Sequence, residues 1–275
     1  MAVSTVVGCG YVGKVLARRL VDRGHEVYAI TRSGVEIDGV ESVETDVTRP
    51  DLRLPDPVSD SDYVFYLVSA GSRDTDDYRE AYVEGQRNVI DVIDGDSTLI
   101  YSSSTGVYET VDGSRVDETT EIEGKTRKTR VLLEAEEVTH QNGGTVVRFA
   151  GLYGPGRYGL NRYLSDEGTD ATETETTVPT GYLNLLHRQD AARALEHVAI
   201  RDEADDNLYL ACDNEPVERH ELARWLAEKT GRETGRLVDE TKGSNKRCSN
   251  DRLRSTGWEP NYSTFRDGYS DSEAF

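Results

Sequence analysis

Residues 8–13 read Gly-Cys-Gly-Tyr-Val-Gly and lie between two segments of different period. The run before them, "AVSTVVG", is short and β-branched, as a buried strand should be. The run after them, "YVGKVLARRLVDRG", puts Val12, Val15, Leu16 and Leu20 on one helical face and stops at Gly24. Glycines at 8, 10 and 13 in a strand-to-helix turn constrain this chain more than any other feature. The first lets the chain turn tightly, the second lets backbone approach a pyrophosphate, and the third lets the helix pack on the sheet. The helix N-terminus then faces the phosphates. A plain tight turn is the alternative. The strand–helix setting favours a dinucleotide site cradled by Gly8, Gly10, Tyr11, Val12 and Gly13.

The same alternation continues. "HEVYAI", "SVETDV", "DYVFYLVSA", "STLIYSSS" and "GGTVVRFAGLYG" read as further strands. One helix is expected over 76–93, and another opens in "GKTRKTRVLLEAEE". The fold class that follows is α/β, a Rossmann-type doubly wound parallel sheet. After Gly156 the rhythm changes. "SDEGTDATETETTVPTG" reads as an acidic loop, then "YLNLLH", "QDAARALEHVAI", "NLYLA" and "VERHELARWLAEKTG" give strand, helix, strand, helix. The expected division is 1–156, with 182–200 returning to it, and a smaller interleaved substrate-binding region over 157–275.

The second strand bears on which dinucleotide. NAD sites place an acid there to bond the ribose 2′-hydroxyl. This strand ends in Thr31, Arg32 and Ser33. Arg32 would attract a 2′-phosphate, and the two hydroxyls could bond it, which favours NADP over NAD. A solvated Arg32 is the competing reading. Asp46, after the third strand, either reaches the adenine amino group or forms a turn. Ser69, near the end of the fourth strand, completes the cofactor-binding candidates.

Composition narrows the setting. There are 52 acidic against 32 basic residues in 275, a formal net charge of -20. Phosphate-rich partners would be repelled, so neither nucleic acid nor an anionic membrane is expected. Lysine occurs only at 14, 125, 128, 229, 242 and 246. Many carboxylates with few lysines suit concentrated salt, where self-repulsion is screened. An ordinary acidic enzyme is the alternative. Cys9, Cys212 and Cys248 are scattered and have neither a disulfide framework nor metal-ligand spacing, and the histidines are dispersed too, so no metal is expected. With no signal-like start and no long apolar run, a reducing cytoplasm is the expected compartment. The expected partners are a small-molecule substrate and a second copy of the chain as a homodimer.

Several segments then resemble the extended and atypical short-chain dehydrogenases/reductases, of the NAD-dependent epimerase/dehydratase type, over about Val3 to Gly268. "IYSSSTGVY" is similar to the fifth-strand motif of sugar-nucleotide epimerases and dehydratases, and on that match Ser104 binds substrate. "RFAGLYGPGR" is similar to the sixth-strand signature and is the most specific match. "LLHRQDAARAL" resembles the segment in which a His and an Asp stabilise the substrate-domain junction. "KRCSNDRLRSTGWEP" resembles the C-terminal segment of atypical members. The family's glycine pattern starts one residue earlier, where this chain has Val7, and its helical Asn is replaced by Tyr82.

The larger departure is in the basic stretch. The family places Tyr-x-x-x-Lys at the start of this helix, and the match puts Thr126 at the tyrosine and Arg130 at the lysine. In the family the lysine bonds the nicotinamide ribose and lowers the tyrosine pKa, and the tyrosine exchanges a proton with the substrate. Arg130 can still donate to a ribose hydroxyl. Thr126 is far too weak an acid to replace a phenol. Lys125, Arg127 and Lys128 face an anionic substrate or pair with Glu121 and Glu123. A phenol would then come from Tyr108 or Tyr153, beyond strand ends, although Tyr108 could instead pack under the cofactor. Lys246, Arg247 and Arg252 either bind a substrate phosphate or form a solvated basic face. The catalytic candidates are Ser104, Arg130 and Tyr108. Two functions remain: an NADP-dependent oxidoreductase or epimerase/dehydratase acting on a sugar-nucleotide-like or other hydroxylated molecule, or a catalytically inactive NADP(H)-binding sensor or assembly module.

The charge excess makes one prediction independent of chemistry. Thermal unfolding followed from low salt to molar potassium chloride should show a rising midpoint, because screening removes repulsion among the carboxylates. A flat or falling midpoint would contradict salt adaptation.

Overall fold

A computed structural model describes residues 1–72, 74–165, 176–201 and 207–270. In chain order the elements are β1 (Val3–Val7), α1 (Gly13–Asp22), β2 (Glu26–Thr31), β3 (Val40–Glu44), α2 (Asp56–Ser59) and β4 (Tyr63–Tyr66). Next come α3 (Thr75–Arg79), a π turn (Glu80–Glu84), α4 (Gly85–Ile90), β5 (Thr98–Ser104), β6 (Arg115–Val116), α5 (Arg127–Gln141), β7 (Thr145–Phe149) and β8 (Gly151–Tyr153). The rest are β9 (Thr177–Thr180), β10 (Tyr182–Leu183), β11 (Leu185–His187), α6 (Arg188–Ala199), β12 (Leu208–Ala211), β13 (Val217–Glu218), α7 (Arg219–Thr230), β14 (Arg236–Thr241), β15 (Arg247–Cys248), α8 (Asp251–Ser255) and α9 (Phe265–Tyr269). Among the described residues no helix is long and apolar enough to cross a membrane.

The chain forms two compact units, one of residues 1–107, 122–149 and 188–209, the other of 108–121, 150–187 and 210–275. This differs from the division expected at 156. Residues 108–121, 150–156 and 182–187 group with the second unit instead.

The first unit is built on a seven-stranded sheet of order β12-β7-β5-β4-β1-β2-β3. The pairs β1–β2, β2–β3, β1–β4, β4–β5 and β5–β7 are all parallel. The order reverses direction between β1 and β4, and in such sheets ligands bind beyond the strand carboxyl ends at that point. The α/β doubly wound reading of the sequence is thus correct. The strands are apolar on both faces because helices cover both; Val6, Val7, Val64, Phe65, Tyr66, Ile100 and Tyr101 are fully buried.

Three strand expectations change. "DYVFYLVSA" is a strand only over Tyr63–Tyr66, with Leu67 N still donating to Val7 O at 2.7 Å. Beyond that, the β1 turn crosses the chain: a Cβ on Gly8 would lie 2.7 Å from the Leu67 carbonyl carbon and Val68 N. "GGTVVRFAGLYG" breaks at Ala150 into β7 and β8, because the backbone partner changes. Thr145–Phe149 pair with β5, whereas Gly151–Tyr153 pair with β11. "YLNLLH" likewise splits at Asn184, whose side chain accepts from Cys248 N at 2.6 Å and donates to Lys246 O at 3.0 Å. Of the expected acidic loop, 166–175 lie outside the described residues, and its end, Thr177–Thr180, is a strand parallel to β14. The second unit packs its own aromatic core of Tyr153, Tyr158, Phe265 and Tyr269 with Leu164, Leu222 and Leu226.

The helix expected over 76–93 is interrupted. The Tyr66 hydroxyl donates to Ala81 O at 2.6 Å, and a Cβ on Gly85 would lie 2.6 Å from that hydroxyl. A strand tyrosine therefore reaches the helix backbone at the π turn, and only glycine leaves room for it.

Helix α5 is fixed by a buried charge pair. Arg148 of β7 donates through Nε to Glu136 Oε1 at 2.9 Å and through a terminal nitrogen to Oε2 at 2.6 Å. Ser103 of β5 donates to the same carboxylate at 2.5 Å. Glu136 is 3% exposed and Arg148 5%. Bidentate geometry with an added hydroxyl donor lets such a pair tolerate burial. Removing one partner strands the other, so Glu136→Ala should destabilise the protein by about 3–5 kcal/mol. Chemical denaturation should also show that Glu136→Leu with Arg148→Met costs less than the two single changes added together.

Candidate dinucleotide site

The turn from β1 to α1 has the three separate properties that its glycines suggest. Gly8 has φ +90°, and a Cβ there would run into the backbone of Leu67 and Val68, just past β4. A Cβ on Gly13 would lie 2.7 Å from Gly8 O and 3.2 Å from Val6 Cγ1, so α1 packs on β1 at a distance that excludes any side chain. A Cβ on Gly10 would meet nothing within 4 Å. One glycine thus faces open space while its two neighbours are pinned by backbone. Val12 caps α1 without a side-chain hydrogen bond, and the first turn holds no acidic residue. An uncapped helix N-terminus beside an open cradle suits an anion. These residues fit a dinucleotide pyrophosphate.

Cys9, between the first two glycines, is 3% exposed, and burial pushes its thiol up to about 11 against the opposing charges of Lys14 and Arg18. It stays a neutral thiol near neutral pH. Tyr11 lies under the Arg188 guanidinium, whose central carbon is 5.3 Å from the ring centroid.

Past β2, Arg32 and Ser33 are exposed. A terminal nitrogen of Arg32 comes within 3.9 Å of where a Gly71 Cβ would be, so the guanidinium reaches toward the chain beyond β4. The Thr31 hydroxyl is buried and finds no partner among the described residues. Asp46 serves the turn it was expected either to form or to forgo: Oδ1 accepts from Thr48 N at 3.1 Å and Thr48 Oγ1 at 2.9 Å. Burial alone would raise its carboxyl, but the Thr48 bonds and the charges of Arg32 and Arg49 outweigh this and hold it below the usual range. Ser69 is exposed beyond β4.

Ser104 ends β5, partly exposed, and its Oγ accepts from Gly106 N at 3.0 Å, which leaves its own proton to donate. The basic stretch has a local explanation. Thr126 is the N-cap of α5, its side chain accepting from Thr129 N at 3.1 Å. Arg130 donates to Gly124 O at 2.8 Å and Lys125 O at 3.1 Å, folding back on the loop before its own helix. Lys125 lies 3.2 Å from Glu123, and Lys128 sits over the Tyr78 ring at 4.7 Å. The expected ribose donor Arg130 is thus engaged as a loop brace. Tyr82, where the family resemblance expects Asn, lies in the π turn beside the Ala70 backbone, and burial raises its pKa against that backbone hydrogen bond.

In the second unit the expected phenols and cations are structural. Tyr108 is 1% exposed and donates to Asp117 O at 2.7 Å, so it is not an available proton donor. Tyr153 is buried, stacked on Tyr269 with centroids 5.1 Å apart. Lys246 is no solvated surface cation. It is 6% exposed, donates to Tyr108 O at 3.1 Å and Ser244 Oγ at 2.7 Å, and burial lowers its pKa. Arg247 donates to Gly113 O at 2.8 Å and covers the Tyr182 ring. Arg252 lies 3.8 Å from the buried Glu118. Sequence reading missed the Glu136–Arg148 pair and the position of Arg188. The only available signal for the latter was an arginine directly after a strand, opening a helix.

The chain is similar to known proteins over most of its length. A model of the NAD dependent epimerase/dehydratase family matches residues 5–206. A 2-alkyl-3-oxoalkanoate reductase of Stenotrophomonas maltophilia is 34% identical over 114 residues, spanning 39% of this chain and 34% of that protein. A solved structure from Methylobacillus flagellatus, described as of the NAD-dependent epimerase/dehydratase type, is 29% identical with TM-score 0.75, covering 98% of this chain and 96% of its own. The structure of MoeE5 in complex with UDP-glucose and NAD is 19% identical with TM-score 0.78, covering 96% and 95%, a likeness of fold. With the family model covering most of its length, this chain belongs to the NAD-dependent epimerase/dehydratase family.

Proposed function

We propose that the first unit binds NADP(H) and that the chain uses it for oxidoreduction of a hydroxylated, sugar-nucleotide-like small molecule. The observation that carries this is the cradle itself: Gly10 opens to free space while Gly8 and Gly13 are held by backbone contact. The turn from Gly8 to Gly13 would hold the pyrophosphate. Arg32, with Thr31 and Ser33, would meet the 2′-phosphate, and Asp46 and Ser69 would border the adenosine and nicotinamide halves. When bound, the nicotinamide supplies or accepts a hydride. Ser104 donates its hydroxyl proton to a substrate oxygen.

A second reading, an NADP(H)-binding sensor or assembly module, is favoured by one observation. Thr126 and Arg130 are both spent on the start of α5, as a cap and a loop brace. Deuterated NADPH incubated with a panel of sugar nucleotides and carbonyl compounds separates the two. Isotope transfer to product supports the enzyme, and tight binding with no transfer across the panel supports the sensor.

Three substitutions test the parts. Gly10→Ala should leave thermal unfolding nearly unchanged but weaken NADPH binding tenfold or more, at least ~1.4 kcal/mol, because the new methyl fills only the cradle. Gly8→Ala should instead destabilise the fold, since φ +90° and the 2.7 Å approach are both intolerant of a side chain. By fluorescence titration NADPH should bind more tightly than NADH, and Arg32→Asp should reverse the order; equal wild-type affinities would remove the NADP assignment.

A further inference from the structure

Helices α1 and α6 lie side by side in the first unit, and their contacts fix their register. Arg19 of α1 donates to the buried Glu196 of α6 through Nε at 2.9 Å and a terminal nitrogen at 2.5 Å, and Arg23 pairs with the same carboxylate. Tyr11 stands eight residues before Arg19, and Arg188 stands eight before Glu196. Tyr11 and Arg188 meet as well, at 5.3 Å. Tyr11 lies in the turn two residues ahead of α1, so contacts near both ends of the pair mean that the helices run parallel. Arg188, the first residue of α6, is therefore carried to the height of the glycine turn. It is half-buried there, against the side chain between Gly10 and Val12.

From this juxtaposition we infer that Arg188 is a second ligand for the cofactor pyrophosphate, supplied by α6 across from the backbone of the Gly8–Gly13 turn. A cation is drawn to the face of an aromatic ring, and a guanidinium carries its N–H donors in one plane. Tyr11 thus helps to keep the cation beside the turn, and Glu196 with Arg19 and Arg23 holds the helix that carries it. Planar, bidentate donation is what a pyrophosphate accepts well. The contact is blind to the 2′-position, so it serves NADPH and NADH alike, whereas Arg32 separates them.

The inference rests on the dinucleotide reading, and calorimetric titration of apo-protein with NADPH, NADH and ADP-ribose separates the two claims. Arg188→Gln should weaken all three by a similar factor, about tenfold or more, as for loss of a charge-assisted hydrogen bond. It should also flatten the fall of affinity with salt. Arg188→Lys should recover part of the loss, since it keeps the charge without the fork. Tyr11→Leu, which removes the ring and leaves the arginine, should give an intermediate loss. Thermal unfolding of each apo-variant shows whether a loss reflects damage to the fold; losses that track lowered midpoints overturn the assignment. Affinities for all three within twofold of wild type overturn it too, as does a loss confined to NADPH, which would place Arg188 at the 2′-phosphate. A wild-type protein that binds none of the three overturns the dinucleotide reading itself, and this inference with it.

Discussion

The crossing of the β1–α1 turn over the end of β4 sets the geometry on which the rest depends. Backbone meets backbone there, at distances that leave no volume for a Cβ on Gly8, and a second such contact seats Gly13 against the same turn. Two close approaches a few residues apart fix both ends of a short segment. Gly10, between them, is left facing open space. The order of the sheet, reversing between β1 and β4, places that opening beyond the strand carboxyl ends. The site is a by-product of how tightly one strand, one turn and one helix can be packed.

Around this turn, polar contacts carry much of the positioning. Glu136 and Arg148 tie α5 to β7, and Ser103 brings in β5 one residue before Ser104. On the outer side Glu134 of α5 pairs with Arg79 and Arg87, and in the interior Gln86 donates to Thr139 at 2.7 Å. The exposed pairs contribute little to stability individually. The buried one sets where α5 lies, because a misplaced helix would leave two charges unmatched in a dry interior.

The alternation of strands and helices was readable because strands covered on both faces become continuous apolar runs, and the glycine turn was readable because backbone contact excludes every other residue. Strand ends were less so. β7 and β8 differ only in which backbone they pair with, and nothing in "TVVRFAGLY" records a change of partner. Glu136 and Arg148 look like surface residues in sequence, since burial of a charge depends on a partner twelve residues away. The basic stretch misled for a related reason. Thr126 and Arg130 fell where the family has its tyrosine and lysine, and the family pattern gave them chemical roles. A threonine ahead of a helix is equally an N-cap, and an arginine one turn in can bond the preceding carbonyls. Tyr108 and Lys246 read as available groups because sequence does not show that one is buried against Asp117 O and the other beneath Tyr108 O.

The π turn at Glu80–Glu84 has a consequence for the length of the chain. A π turn closes over five residues where an α turn closes over four, so the stretch from Thr75 to Ile90 holds one residue more than a regular helix of the same span. Deleting a residue here would leave the helix intact and in better repair, yet it would withdraw the Ala81 carbonyl from the Tyr66 hydroxyl and strand that hydroxyl in the core. Length in this helix and the identity of a strand residue are therefore one coupled trait. A relative with a phenylalanine in place of Tyr66 would be free to lose the extra residue, and one that keeps the tyrosine would be bound to keep both the insertion and the glycine at 85.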